Sequence, residues 1–221
     1  MKKDLTERFF YRITNTMLTF FMINLYFLLA NFLFLACLLL FEPRIENILV
    51  YFATLIPTGP ALAACFSSMG KLVKEGEINA TETFFKNYKQ NFKISFQFWL
   101  SQLLVLLIIS FNYIYIRETS TLTFLIPLLL GLLINILLIN LYAFPILTRF
   151  HITLKNIWIL SISSLFKYWH CSLLNASATV AFLLLYFHYP LIITLSFMSV
   201  LPYLIMYNLR VFLKELEDYL Q

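Results

Sequence analysis

The stretch YWHCSLLNASATVAFLLLYFHYPLIITLSFMSVLPYLIMYNL, residues 168–209, holds no Asp, Glu, Lys or Arg between Lys167 and Arg210. Its 42 residues are too many for one membrane crossing and suit two of about 20 each. His188-Tyr189-Pro190 lies near the middle and supplies a turn. Pro190 suits a helix start, because its missing N–H would be unpaired there in any case. A helical hairpin is therefore expected here, and the same reading extends to the rest of the chain.

The other charge-free runs are Ile13–Phe41, Asn47–Gly70, Ile94–Ile116 and Thr119–Thr148. Barrel-type alternation is absent, so spanning segments must be helices that satisfy their own backbone. The expected fold is all-α: one polytopic membrane bundle over residues 1–221. Its six transmembrane helices fall near 13–41, 47–69, 94–116, 122–147, 169–187 and 190–209. Short amphipathic interfacial helices are expected at 79–93 and 209–221.

Composition points the same way. The 221 residues are 61% hydrophobic, 18% aromatic and 12% charged. A soluble domain is about a quarter charged, and this chain has too little polarity to cover itself in water. The net charge of +5 is explained by location and needs no nucleic acid partner. Four basic residues precede the first span (Lys2, Lys3, Arg8, Arg12), and five lie between the second and third (Lys71, Lys74, Lys86, Lys89, Lys93). Three follow the fourth span (Arg149, Lys155, Lys167), and two lie in the tail (Arg210, Lys214). The opposite loops hold only Arg44 and Arg117. By the positive-inside rule both termini are expected in the cytoplasm. The outer loops are short, about Glu42–Glu46, Arg117–Thr121 and His188–Pro190.

Cys37, Cys65 and Cys171 all sit in apolar segments without metal-ligand spacing, and read as small buried thiols. Phe34-Leu35-Ala36-Cys37 has the outline of a lipobox, but its −3 and −2 positions are wrong and the apolar run continues to Phe41. No cleaved leader is expected, since Ile13–Phe41 is too long for its apolar core.

Two segments stand out as candidate sites. In Gly70–Lys93, Asn79 and Glu82 have capping-box spacing. Helical periodicity gathers Phe84, Phe85, Tyr88 and Phe92 on one sector and Lys86, Lys89 and Lys93 on the next. Such a helix suits an interface with membrane lipid, as a plain anchor, or with a cytoplasmic partner. In the second span, Pro57-Thr58-Gly59-Pro60 should break or kink the helix, either as a tolerated kink or as a solute site. The tail repeats Leu209, Phe212, Leu213, Leu216 and Leu220 on one face, to lie on the membrane or on a partner.

Asn24, Asn31, Gln97, Gln102, Asn112, Asn135, Asn140 and Asn175 fall within the spans. They read as interhelical hydrogen-bonding groups or as the lining for a sugar-like solute. No nucleotide-binding loop, HExxH or GxSxG occurs. His151, His170 and His188 sit at span ends. No catalytic, cofactor or metal residues are therefore assigned, and the chain is not expected to be an enzyme. The spans hold no Asp, Glu, Lys or Arg, which argues against an ion-coupled carrier.

The chain resembles the YesL-like family of bacterial membrane proteins. The resemblance rests on the basic N-terminus with Phe9-Phe10, the Pro- and Ala-rich Pro57–Ala64, the Phe84–Lys93 segment and Thr153-Leu154-Lys155-Asn156. It implies a multi-pass protein of the bacterial cell membrane. It also implies a role as an accessory component of a carbohydrate uptake system of the ABC type, bound to permease or ATPase subunits. A stand-alone carrier or channel for a small polar solute is the alternative.

Overall fold

The computed structural model describes residues 2–42, 44–119, 122–194 and 196–220, with the side chains of 2–9, 191, 192 and 220 left aside. The expectations for the Phe9 and Leu220 side chains, and for Pro43, Ser120 and Thr121 in the short loops, lie outside these residues. Among the described residues the fold is all-helical. Its α-helices are α1 (Lys2–Ala30), α2 (Phe32–Leu40), α3 (Ile48–Thr54), α4 (Thr58–Glu75), α5 (Ala80–Thr119), α6 (Ile126–Arg149), α7 (Leu154–Lys167), α8 (Trp169–His188), α9 (Pro190–Thr194), α10 (Phe197–Asn208) and α11 (Arg210–Leu220).

Four segments are long and apolar enough to cross a membrane: Phe10–Ala30, Ala80–Thr119, Thr123–Arg149 and Trp169–His188. The bent pair Ile45–Thr54 and Thr58–Glu75, 44° apart, makes a fifth if counted as one span. Phe197–Asn208 is apolar but shorter. Large apolar side chains such as Leu39, Leu40, Phe124 and Phe187 face outward. Such a surface fits a multi-pass membrane protein, because lipid tails carry no penalty against it.

The helix α4 is the hub. Ala61, Ala63, Ala64 and Cys65 are fully buried, and these small side chains let neighbouring helices approach closely. On one side Ile23, Phe27, Met69, Leu72 and Phe84 close a core with α4. On the other, Phe66 stacks on Phe144, which meets Phe98 edge-to-face. Gly76, at φ 83°, ends α4 in the left-handed region that favours glycine. The Glu82 amide then donates to Asn79 Oδ1 at 3.3 Å, which begins α5.

Several boundaries differ from the sequence expectation. The run 13–41 is not one helix: it is interrupted at Asn31, whose side chain donates back to the Phe27 carbonyl at 2.9 Å. The expected separate helix at 79–93 is continuous with the span after it, as the 40-residue α5. No Gly or Pro lies between Ala80 and Thr119, so nothing stops helix propagation at Lys93. The segment 190–209 is divided into α9 and α10. The helix α7, Leu154–Lys167, has no counterpart among the expected helices.

The tail does not lie free. In α11, Phe212, Leu213 and Leu216 are buried, as is Leu209 just before it. Phe212 packs edge-on against Tyr142 and Tyr168. Arg149 at the end of α6 pairs with Glu217, and the Tyr168 hydroxyl donates to Glu215 at 2.7 Å. Arg12 reaches Glu77 at 3.6 Å. Ion pairs thus join the basic N-terminal segment to the α4–α5 turn, and the α6–α7 connection to the tail.

Candidate functional site

Three interrupted helices meet around one cavity of about 530 Å³. At two of the interruptions a side chain from another helix takes up backbone groups, and at the third two side chains bond across helices. Between α3 and α4, Pro57 and Pro60 lack the N–H that would continue the ladder. There the Trp99 indole N–H donates to the Leu55 carbonyl at 2.8 Å. Between α1 and α2, Asn31 Oδ1 accepts from the Thr58 hydroxyl at 2.6 Å. Between α9 and α10, Asn24 acts twice: its amide nitrogen donates to the Thr194 carbonyl at 2.9 Å, and its oxygen accepts from the Met198 N–H at 3.1 Å.

The close fit at Trp99 requires a glycine. A Cβ built on Gly59 would lie 2.3 Å from Trp99 Cβ, so any larger residue displaces the indole. Proline and glycine thus act together: the prolines open the helix, and Gly59 admits the residue that closes it.

The cavity wall is apolar. Phe27, Phe34, Leu62, Leu103, Phe182 and Phe197 are among its lining, and Asn31 is the one amide there among the described residues. The Asn31 oxygen and nitrogen are both already hydrogen-bonded. Such a surface recognises apolar matter, since a sugar hydroxyl would enter without partners.

Most of the other amides bond within the helices or between them. Asn112, Asn135 and Asn140 donate to carbonyls one turn back on their own helices. Asn175 accepts from Asn208 at 2.8 Å, tying α8 to α10. Gln102 is fully buried with neither amide atom hydrogen-bonded among the described residues. No grouping of three or more His, Cys, Asp or Glu able to hold a metal occurs among those residues.

The aromatic and basic candidates of α5 divide. Phe84 is buried against Tyr26 of α1 and belongs to the core. Tyr88 is half-buried between Phe84 and Phe92. Phe85 and Phe92 remain exposed, with Lys86, Lys89 and Lys93 also exposed and outside any ion pair among the described residues. Helix α7 adds a surface that the sequence reading missed. Ile157, Ser161 and Ser164 face the bundle, while Ile159, Ile162 and Phe166 form an exposed stripe between Lys155 and Lys167. The signal was the spacing Ile159, Ile162, Phe166, masked by interleaved serines.

At the charged end, a hydrogen bond from Arg149 holds the Glu217 carboxyl below the usual range, and the positive charges of Arg149, Lys74 and Lys214 add to it. The hydrogen bond to Glu215 pushes the Tyr168 phenol up.

A family model described as a protein of unknown function, DUF624, matches residues 20–113. The match takes in Asn24, Asn31, Pro57, Gly59 and Trp99, the residues that shape and close these interruptions. No curated protein and no solved structure matches the chain.

Proposed function

We propose that this chain is a non-catalytic accessory component of a bacterial carbohydrate importer of the ABC type, resident in the cell membrane. The link to carbohydrate import rests on the YesL-like resemblance. The observation that carries the accessory role is the exposed strip of α5 formed by Phe85, Lys86, Lys89 and Phe92. A helix of 40 residues is about 60 Å long, twice the thickness of the hydrocarbon, so its charged first third projects beyond the lipid. Exposed aromatics beside lysines without acidic partners suit an acidic, partly apolar surface on a permease or ATPase subunit.

In this reading the spans are six: α1–α2, α3–α4, α5, α6, α8 and α9–α10, with both ends cytoplasmic. Support comes from the pairs Arg12–Glu77 and Arg149–Glu217, which join segments that the positive-inside rule assigns to one side.

Affinity purification from gently solubilised membranes tests the proposal. The expected result is recovery of permease or ATPase subunits, reduced by the paired changes Lys86→Glu and Lys89→Glu. Recovery of the chain alone would count against it.

A second reading, a stand-alone carrier for a small polar solute, is favoured by the interrupted helices around a cavity. The apolar wall opposes it. Purified protein in liposomes should then move solute unaided, and inert vesicles would end that reading.

A further inference from the structure

We propose that a second recess, on the face of α5 turned away from the cavity, holds the phosphate of an anionic phospholipid. The recess has a volume of about 310 Å³. Gln90, Ile94 and Gln97 line it at helical spacing, and each lies nine residues before a cavity residue of α5: Trp99, Leu103 and Leu106. Nine residues at 100° each is a half-turn offset, so the two sites use opposite faces of one helix. The other wall is the connection from α6 to α7, which brings His151 beside the α5 side chains.

The chemistry is that of an anion site. Lys93 and His151 line the recess, and no carboxylate does among the described residues. Lys93 is in no ion pair among the described residues. Asn91 also lines it. This residue is 8% exposed, and its side-chain amide makes no hydrogen bond among the described residues. The Asn91 amide is therefore free to donate to a ligand oxygen in the recess. Gln90 and Gln97 offer further N–H donors at the rim. Together they suit a phosphodiester, with charge-assisted bonds from Lys93 and neutral ones from the amides.

Depth identifies the source. Lys93 is the last charge before the uncharged stretch Ile94–Ile116. That places the recess where hydrocarbon gives way to headgroups, the setting in which basic pockets between helices take lipid phosphates. Apolar Leu147, Phe150 and Ile152 complete the lining, and suit the glycerol ester better than a hydrated free ion. This site is independent of the partner reading above.

The test uses the full chain in nanodiscs and in detergent, with phosphatidylglycerol, phosphatidylcholine and inorganic phosphate as probes and native mass spectrometry as readout. Phosphatidylglycerol should be retained in preference to phosphatidylcholine. Lys93→Gln should weaken that retention roughly fivefold, the worth of one lysine at an anionic surface. Adding His151→Gln should weaken it further, and Arg117→Gln, at the opposite end of α5 and outside the recess, should leave it unchanged. Asn91→Asp places a negative charge in the recess and should abolish retention. If that buried change fails to fold by circular dichroism, the exposed Lys93 and His151 changes decide. Equal retention of the two lipids, or undiminished retention by the Lys93→Gln, His151→Gln pair, would overturn the proposal. Binding of inorganic phosphate at these residues without phosphatidylglycerol retention would overturn the lipid assignment in favour of a free anion.

Discussion

Asn31 and Thr58 are 27 residues apart in sequence, yet the Thr58 hydroxyl donates to Asn31 Oδ1 at 2.6 Å. Each stands at an interruption: Asn31 between α1 and α2, Thr58 at the first residue of α4. One side-chain hydrogen bond therefore ties two irregular segments together. Where water cannot reach, an interrupted helix survives only if another group takes up its polar atoms.

Removing that bond should measure its worth. Thr58→Val is expected to cost about 1 kcal/mol in detergent, within the range for interhelical bonds in membranes. Asn31→Leu should cost more, since it also loses the bond to the Phe27 carbonyl. A double-mutant cycle should return a coupling of about 0.6–2 kcal/mol. Additive losses would show that the two residues do not interact.

Two glycines should respond oppositely to alanine. Gly59→Ala forces a Cβ against Trp99 and should lower stability by about 1–3 kcal/mol, the usual cost of overpacking. Gly131→Ala meets nothing within 4 Å and lies inside α6, so it should be neutral or stabilising by up to about 1 kcal/mol. Thermal unfolding of the purified protein compares the two directly.

Asn24 should govern local order at the α9–α10 junction. Asn24→Leu removes both the donor to Thr194 and the acceptor for Met198. Amide hydrogen exchange around Met198 should accelerate. Exchange at Glu82, capped separately by Asn79, should not change.

The tail contact should depend on acidic pH. Arg149 lowers the folded-state pKa of Glu217 from its ordinary 4.5. A carboxylate depressed in this way contributes fully above its unfolded value, and that contribution fades as pH falls through the lower folded value. Exchange protection of α11 should therefore hold at neutral pH and weaken below about 4.5. Glu217→Gln should have weaker protection at neutral pH and a flatter response to acid.

Much of this was legible in the sequence because charge and backbone constraints are local. The uncharged runs mark apolar helices, and Pro57 and Pro60 mark a break wherever they fall. The interruption at Asn31 was not legible, because it depends on Thr58 from another helix. The unity of α5 was obscured by its lysines: a change of solvent at Lys93 was read as a change of structure. Helix length is set by breakers, and α5 has none. Periodicity groups Phe84 with Phe85 and Phe92, on a face suited to lipid or to a partner. Only the packing of Tyr26 and α4 separates the buried member of that group from the exposed ones. Asn24 and Asn31 were legible as amides that hydrogen-bond between helices, whereas Trp99, which closes the break at Leu55, carries no local mark of that role.

The account rests on lipid surrounding the bundle with its basic segments gathered at one face. Single cysteines test this most directly, in a background with Cys37, Cys65 and Cys171 replaced by alanine. Lys86→Cys, Lys155→Cys and Lys214→Cys should react with a membrane-impermeant maleimide only from the cytoplasmic side, and Glu46→Cys and Glu118→Cys only from the other. Labelling of Lys86→Cys from the same side as Glu46→Cys would contradict it.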